Sequence, residues 1–254
     1  LPNLKAFIVV SSPSIQDRGR FRIPSPGKCV IFEDLLVRYG RGLKTLEVSG
    51  VWNINISGSK FYSLDSLETV NLTDSMSGTL QCLLVISGQY ISTLELYDVL
   101  GGANGELCYL QNLKHLHIDS DETGFFELVQ RNAKNLESLI FYCDDRQLDF
   151  FPQDLDEFEH LKLLEVNCPV LNNAILQKCK NTLEYLYVPD EEMPNTWNEI
   201  NLNLPVELPI LKDLCVPGSK RRSVNMIKKN CASLEYLIIF GFKELLESSW
   251  SMNL

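Results

Sequence analysis

Apolar residues recur along this chain in a six-residue pattern: one apolar residue, two variable residues, then two more apolar residues separated by one variable residue. Residues 43–48 (LKTLEV) show it clearly. The last three positions alternate between apolar and variable, which is typical of a short β-strand with one buried face. Ten copies are present, and they begin at Leu4, Leu43, Leu67, Ile91, Leu113, Leu136, Leu161, Leu183, Leu211 and Leu234.

The copies follow one another at nearly constant intervals. From Leu43 onward they start 24, 24, 22, 23, 25, 22, 28 and 23 residues apart. Leucine frequency alone does not account for this regularity, although the chain contains 41 leucines. Because one unit of this length cannot bury its own apolar edge, successive units have to stack. The pattern therefore predicts parallel strands side by side, with their inward leucines forming a continuous spine.

The segments between the hexapeptides return the chain to the start of the next strand. Helical spacing of the apolar residues predicts helices at 30–39, 124–135, 172–180 and 223–231. Returns that contain Gly or Pro, such as 58–64 and 205–209, are expected to be shorter turns or 3₁₀ segments.

We expect a single domain over residues 1–254, with an irregular first repeat over 1–42. An insertion at 11–27, rich in Ser, Pro, Gly and Arg, accounts for the 39 residues between Leu4 and Leu43. A second loop insertion is expected at 189–209, in the 28-residue interval. The chain begins at Leu1 without a signal sequence, and we expect it to be a fragment of a longer protein.

The hexapeptide and its spacing resemble the leucine-rich-repeat family, whose core is L-x-x-L-x-L. The resemblance covers nearly the whole chain. It implies an α/β leucine-rich-repeat solenoid, a horseshoe of about ten repeats. Parallel strands would line its concave face, and helices and short turns its convex face.

Cysteine positions are similar to those in the repeats of F-box/leucine-rich-repeat proteins. Cys231 lies three residues before Leu234, and Cys179 is one residue off that spacing. This resemblance implies a domain that holds a substrate for ubiquitination, while an F-box segment binds the ligase core. No F-box is recognisable here, so an adaptor contact would use a segment outside this chain.

Charge and cysteine content narrow the partners and the compartment. The net charge of −10 makes nucleic acid an unfavourable partner, since a phosphate backbone requires a basic face. Acidic runs at 144–159 and 190–192 are interpreted as a solvated edge or, alternatively, as a surface that attracts a basic partner.

The eight cysteines form no C-x-x-C pair, which indicates reduced, buried thiols in an intracellular protein of the cytoplasm or nucleus. No apolar stretch is long enough to span a membrane, so we expect no membrane partner.

The outward strand positions, which would line the concave face, differ between the two halves of the chain. The first five repeats offer small polar and acidic side chains, whereas the last five add apolar and aromatic ones. Exposed apolar side chains often mark an interaction site. The alternative is that a capping helix or the 189–209 loop covers them. The predicted partner-binding set, here called the aromatic patch, is Ile140, Tyr142, Leu163, Tyr185, Tyr187, Tyr236, Ile238 and Phe240.

No catalytic motif is recognisable: phosphate loop, G-x-S-x-G elbow and H-E-x-x-H helix are all missing from the sequence. We therefore expect no enzymatic activity, no catalytic or metal-binding residues and no cofactor. His115 and His117 alternate on one predicted strand, where a recognition or plain surface role is favoured over metal binding. A Cys–His pair with Cys215 is the remaining catalytic alternative.

The leading hypothesis is a protein-recognition module, the substrate-binding repeat domain of an F-box-type ubiquitin-ligase receptor. The alternatives are a ligand-sensing repeat domain of an immune receptor and a scaffold subunit of a stable complex.

Overall fold

The computed structural model describes residues 5–10, 36, 38–50, 64–75, 77–100, 109–120, 125–142, 155–166, 173–188, 206–217, 227 and 229–240. It is an α/β structure with one parallel sheet whose ten strands follow chain order. The strands are β1 Ala6–Val10, β2 Thr45–Ser49, β3 Thr69–Thr73, β4 Thr93–Tyr97, β5 His115–Asp119, β6 Ser138–Tyr142, β7 Leu163–Val166, β8 Tyr185–Tyr187, β9 Asp213–Pro217 and β10 Tyr236–Phe240.

Each strand begins at the third residue of its hexapeptide, and neighbouring strands pair at equivalent hexapeptide positions. Leu46 of β2 is in register with Val70 of β3, which is in register with Leu94 of β4. The series continues through Leu116 to Leu139. The predicted parallel pairing of consecutive hexapeptides is therefore confirmed.

Alternate strand residues enter one hydrophobic core. The strands β2, β3, β4 and β6 share an alternating pattern of buried and half-buried residues, because successive side chains point to opposite faces of a sheet. Leu46, Leu94 and Leu164 are each fully inaccessible to solvent. Burying one such side chain stabilises the fold by about 1.5–3 kcal/mol. The opposite side of the sheet is called the exposed face below.

Three helices are described over their whole length, and they pack on the core side. They are α1 Ser77–Ser87, α2 Phe125–Asn132 and α3 Asn173–Cys179. Helices α2 and α3 agree with the predicted segments, and residues within the other two predicted helices, Leu36 and Ile227, are also helical. Helix α1 was not predicted, because its apolar residues do not mark one face: Leu83 and Leu84 are buried, whereas Val85 is 68% exposed.

Described helical residues occur in every second return. The returns that contain Leu36, α1, α2, α3 and Ile227 have them, whereas the described ends of the intervening returns are not helical: Leu64, 109–110, 155–158 and 206–210. A helix is about 10 Å across, and two strand spacings also measure about 10 Å. One helix is therefore wide enough to cover two strands.

Residue size alternates in the same way where each return enters its strand. Small residues end the helical returns and large residues end the others, in the order Gly40, Leu64, Gly88, Leu110, Ala133, Phe158, Cys179, Leu208 and Cys231, all of them buried. A Cβ at Gly88 would lie 3.0 Å from Leu110 Cδ2, and one at Gly40 would lie 2.7 Å from Leu64 Cδ2. Each large side chain thus fills space beside a small one, and Cys179 and Cys231 occupy small positions.

The strands end in turns of similar geometry. Gly50, Asp74 and Asp98 each follow a strand directly, and all three have positive φ, at 68°, 48° and 49°. Each donates its backbone N–H to the last residue of the next strand, as Asp74 does to the Tyr97 carbonyl at 3.0 Å. Glycine adopts this left-handed conformation freely and aspartate tolerates it better than most residues.

The predicted insertions are described only in part. The insertion at 11–27 lies outside the described residues, as does most of 189–209. At the end of the second insertion, Val206 and Leu208 are buried in the core, so this part of the segment packs with the fold. No described helix combines the length and the apolar character that crossing a membrane requires.

Candidate functional site

The pairing of the strands sets out the exposed face as rows of side chains. The middle row runs Glu47, Asn71, Glu95, His117, Ile140, Glu165, Tyr187, Cys215 and Ile238, as the sequence predicts. Ile8 of β1 extends the row at its first end and is 60% exposed. Of the predicted site residues, Ile140, Tyr187 and Ile238 lie in this row, whereas Tyr142, Leu163, Tyr185 and Tyr236 lie two positions before or after it on the same face.

Hydrogen bonds join polar side chains across β3 to β7, and this group is called the central polar cluster. Asn71 donates from Nδ2 to Glu95 Oε2 at 2.8 Å. The Tyr97 hydroxyl lies 2.9 Å from His117 Nδ1, and the Tyr142 hydroxyl donates to Glu165 Oε1. The cluster consists of Asn71, Glu95, Tyr97, His117, Tyr142 and Glu165.

His117 is the centre of this cluster. Its ring contacts Tyr97 and Tyr142 edge to face, with centroid distances of 4.5 Å and 5.9 Å. Within the described part of the chain, its Nε2 atom is buried and has no hydrogen-bond partner. Burial lowers the pKa of His117, against the opposing influence of Glu95, Asp119 and Glu165. The neutral imidazole is thus favoured, which suits a packing and hydrogen-bonding role.

Glu165 interrupts the aromatic patch in the middle row, where it lies between Ile140 and Tyr187. Tyr142 is half-buried and belongs to the central polar cluster through its hydrogen bond to Glu165. In the row before, Leu163 pairs directly with Tyr185, and both are half-buried. The patch is therefore interrupted by a carboxylate in one row and continuous from Leu163 to Tyr185 in the other.

Three members of the patch, Tyr187, Tyr236 and Ile238, lie around a depression of about 310 Å³, called the C-terminal depression. Tyr236 is 65% exposed and Ile238 is 52% exposed, whereas Tyr187 is half-buried. Phe240 pairs with Pro217 at the end of β10, and its side chain lies outside the described residues. The lining residues are Tyr187, Asp213, Leu214, Cys215, Tyr236, Leu237 and Ile238.

Cys215 occupies an exposed-face position, yet it is only 8% exposed. The larger side chains of Tyr187 and Ile238 flank it on the neighbouring strands. Burial raises the pKa of its thiol, and Glu165 raises it further. His117 lies four strands away, which is about 19 Å along the sheet at 4.8 Å per strand. This separation excludes a catalytic pair between Cys215 and His117.

The strands place acidic but no basic charge on the exposed face. None of the ten strands contains Lys or Arg. Five carboxylates occupy outward strand positions, and they were assigned no role from the sequence. Aligning the hexapeptides shows that they lie on the same face. They are Glu47, Glu95, Asp119, Glu165 and Asp213.

Lysines instead lie at the strand starts, where they pair with glutamates of the neighbouring strand. Lys44 contacts Glu68 at 2.5 Å, and Lys114 contacts Glu137 at 2.7 Å. Further along, Lys212 contacts Glu184 at 2.5 Å. Such exposed pairs contribute little to stability, but they place each of these lysine ammonium groups against a glutamate carboxylate at the edge of the sheet.

Neither a metal centre nor a known relative indicates a chemistry for this face. Among the described residues, no three His, Cys, Asp or Glu side chains come together in a metal-binding arrangement. No protein-family model matches the chain, and no curated protein matches it. The exposed face has a polar centre and an apolar C-terminal depression.

Proposed function

We propose that this chain is a leucine-rich-repeat domain that recognises a protein partner on the exposed face of its sheet. The hexapeptide spacing, the in-register parallel strands and the position of the three fully described helices on the core side all support assignment to this repeat class. In such a solenoid the exposed face is the concave surface, and adjacent strands present their side chains as a continuous row.

One observation carries the proposal: large apolar side chains project from the exposed face around the C-terminal depression. Tyr236 and Ile238 are 65% and 52% exposed although the core lies on the other side of the sheet. Core packing therefore does not explain them. Aromatic side chains around a depression are typical of protein-binding sites, because their burial by a partner contributes much of the binding energy.

Within this class, we favour the substrate-binding half of an F-box-type ubiquitin-ligase receptor. The positions of Cys179 and Cys231 support this, and both are buried at the ends of helical returns. If this assignment is right, the protein purified from its native cells should co-purify with a ubiquitin-ligase core. Absence of that complex would remove the ligase assignment and leave the recognition function.

Affinity capture from cell extract tests the recognition function itself. The double variant Tyr187→Ala/Tyr236→Ala should lose specific protein partners that the wild type retains, with signals reduced about tenfold. The matched control is Val85→Ala/Tyr109→Ala, which removes two side chains that are 68% and 61% exposed outside the strands. The control should retain the same partners.

Folding of both variants is checked by circular dichroism and by the urea midpoint. Equal capture by the wild type and by a folded Tyr187→Ala/Tyr236→Ala variant would show that the exposed face is not the binding surface.

A further inference from the structure

We propose that the segment bound at the C-terminal depression is basic, with an aromatic or aliphatic anchor next to lysine or arginine. This inference rests on the proposed function and specifies the chemistry of the partner. It concerns the exposed face, whereas residues 144–154 of the acidic run at 144–159, and the whole run at 190–192, lie outside the described residues.

The depression supplies the site for the anchor. The depression has a volume of about 310 Å³ and opens on the exposed face, with Tyr187, Tyr236 and Ile238 around it. The rings of two tyrosines and an isoleucine offer apolar contact to one large side chain. Leu214 and Leu237, which alternate into the core, complete the lining from beneath.

Two carboxylates flank this apolar site. Asp213 lines the depression itself and pairs in register with Tyr185 on one side and Tyr236 on the other. Glu165 is in register with Tyr187 on the neighbouring strand. Both carboxylates lie near enough to Tyr187 to affect its pKa. Burial is the largest cause of the raised pKa of Tyr187, Asp213 raises it further, and Glu165 has a smaller influence in the same direction. An anchor bound here would therefore lie beside the Asp213 carboxylate, with the Glu165 carboxylate farther along the same face of the sheet.

The lysine that precedes Asp213 does not neutralise these charges. Lys212 precedes Asp213 in sequence, but its ammonium group is bound to Glu184 at 2.5 Å. This hydrogen bond lowers the pKa of Glu184 and raises that of Lys212, so both groups are charged at neutral pH. Among the described residues, no ion pair joins a lysine or arginine to Glu165 or Asp213. A cation from the partner would supply the complementary charge.

Strand spacing predicts where the cations of the partner lie. Asp213 is in register with Tyr236 one strand away, about 5 Å, and Glu165 is three strands from Ile238 in the same row, about 14 Å. A segment that runs across the strands in an extended conformation advances about 3.3 Å per residue. It would therefore place Lys or Arg one or two residues from the anchor and again about four residues from it.

Selection from a phage-displayed random peptide library tests this inference with the purified chain. Enriched peptides should contain Lys or Arg within about four residues of an aromatic or aliphatic residue. Synthetic copies should bind the variant Glu165→Gln/Asp213→Asn about tenfold more weakly, since each exposed charge pair contributes up to about 1 kcal/mol. Their affinity should also fall as salt is added.

The variant Glu127→Gln/Asp156→Asn is the matched control. It changes the net charge equally, but at exposed carboxylates that pair with Arg131 and Lys134 away from the exposed face. The selected peptides should bind this control as they bind the wild type.

The outcomes separate this inference from the proposed function. Enrichment of neutral or acidic peptides that lose binding to Tyr187→Ala/Tyr236→Ala would overturn the basic partner and leave the recognition function standing. Basic peptides that bind the two charge variants equally would also overturn it. Peptides insensitive to every exposed-face variant would overturn both.

Discussion

The hydroxyl of Tyr97 on β4 and Nδ1 of His117 on β5 lie 2.9 Å apart, although the two residues are not opposite each other. Tyr97 is in register with Asp119, and His117 is in register with Glu95. The contact is therefore diagonal, which long aromatic side chains can span. It engages one imidazole nitrogen, while the other is buried without a partner among the described residues.

The stability of the protein should consequently depend on His117 near neutral pH. Its pKa in the folded state lies below the ordinary value of 6.5, so the unfolded chain binds the proton more readily. The contribution of neutral His117 to the stability is therefore complete above pH 6.5. It is lost as the pH falls from 6.5 toward the lower pKa of the folded state. Urea unfolding at about pH 7.5 and about pH 5.5 should show lower stability at the lower pH.

His117→Gln should reduce this difference between the two pH values, because glutamine does not titrate. His115→Gln is the control, since it changes an exposed histidine on the same strand. A His117→Gln variant with the same pH dependence as the wild type would contradict the assignment.

The buried amide of Asn132 should be important for stability. Its Oδ1 accepts from the Leu110 N–H at 2.8 Å, and its Nδ2 donates to the Leu128 carbonyl at 2.7 Å. Asn132→Leu would leave the buried Leu110 N–H unpaired, which costs about 1–3 kcal/mol in the free energy of unfolding. Asn135→Ala, at a half-buried site with a 3.4 Å contact, should cost about 0.5 kcal/mol or less. Equal losses in urea titrations of the two variants would show that the amide bonds are unimportant.

The alternation of small and large residues makes Gly88 intolerant of substitution. A Cβ there would lie 2.5 Å from the Leu84 carbonyl oxygen and 3.0 Å from Leu110 Cδ2. Because the first obstacle is backbone, Gly88→Ala should destabilise the fold by about 1–3 kcal/mol. Gln89→Ala, its exposed neighbour, should stay within about 0.5 kcal/mol of the wild type in the same urea assay. A Gly88→Ala variant as stable as the wild type would refute the packing argument.

Cysteine reactivity should follow burial. Cys82 is half-buried, whereas burial raises the pKa of Cys179 to about 12 and that of Cys231 to about 11. Since the thiolate is the reactive species, an alkylating reagent should modify Cys82 long before Cys179 and Cys231 in the folded chain. Peptide mapping by mass spectrometry measures this order, and unfolding in urea should remove the difference. Rapid labelling of Cys179 in the folded chain would be the contrary result.

The hexapeptide pattern was sufficient to predict the sheet, its parallel order and its register. A residue such as Leu94 has equivalents one interval away on either side, so aligning the copies also aligns the strands. Two features were not accessible in this way. Helix α1 lacks an apolar face, and Cys215 is covered by the larger side chains of Tyr187 and Ile238 on the neighbouring strands.

By itself, the sequence determined which residues face the core, because a repeating interval of inward leucines allows only one register for each strand. Tertiary structure alone decided which outward side chains meet. Tyr97 reaches His117 diagonally, Tyr142 reaches Glu165, and Tyr236 and Ile238 remain exposed beside Asp213. These contacts are set by the distance between neighbouring strands and the reach of each side chain, and no pattern along a single strand contains that information.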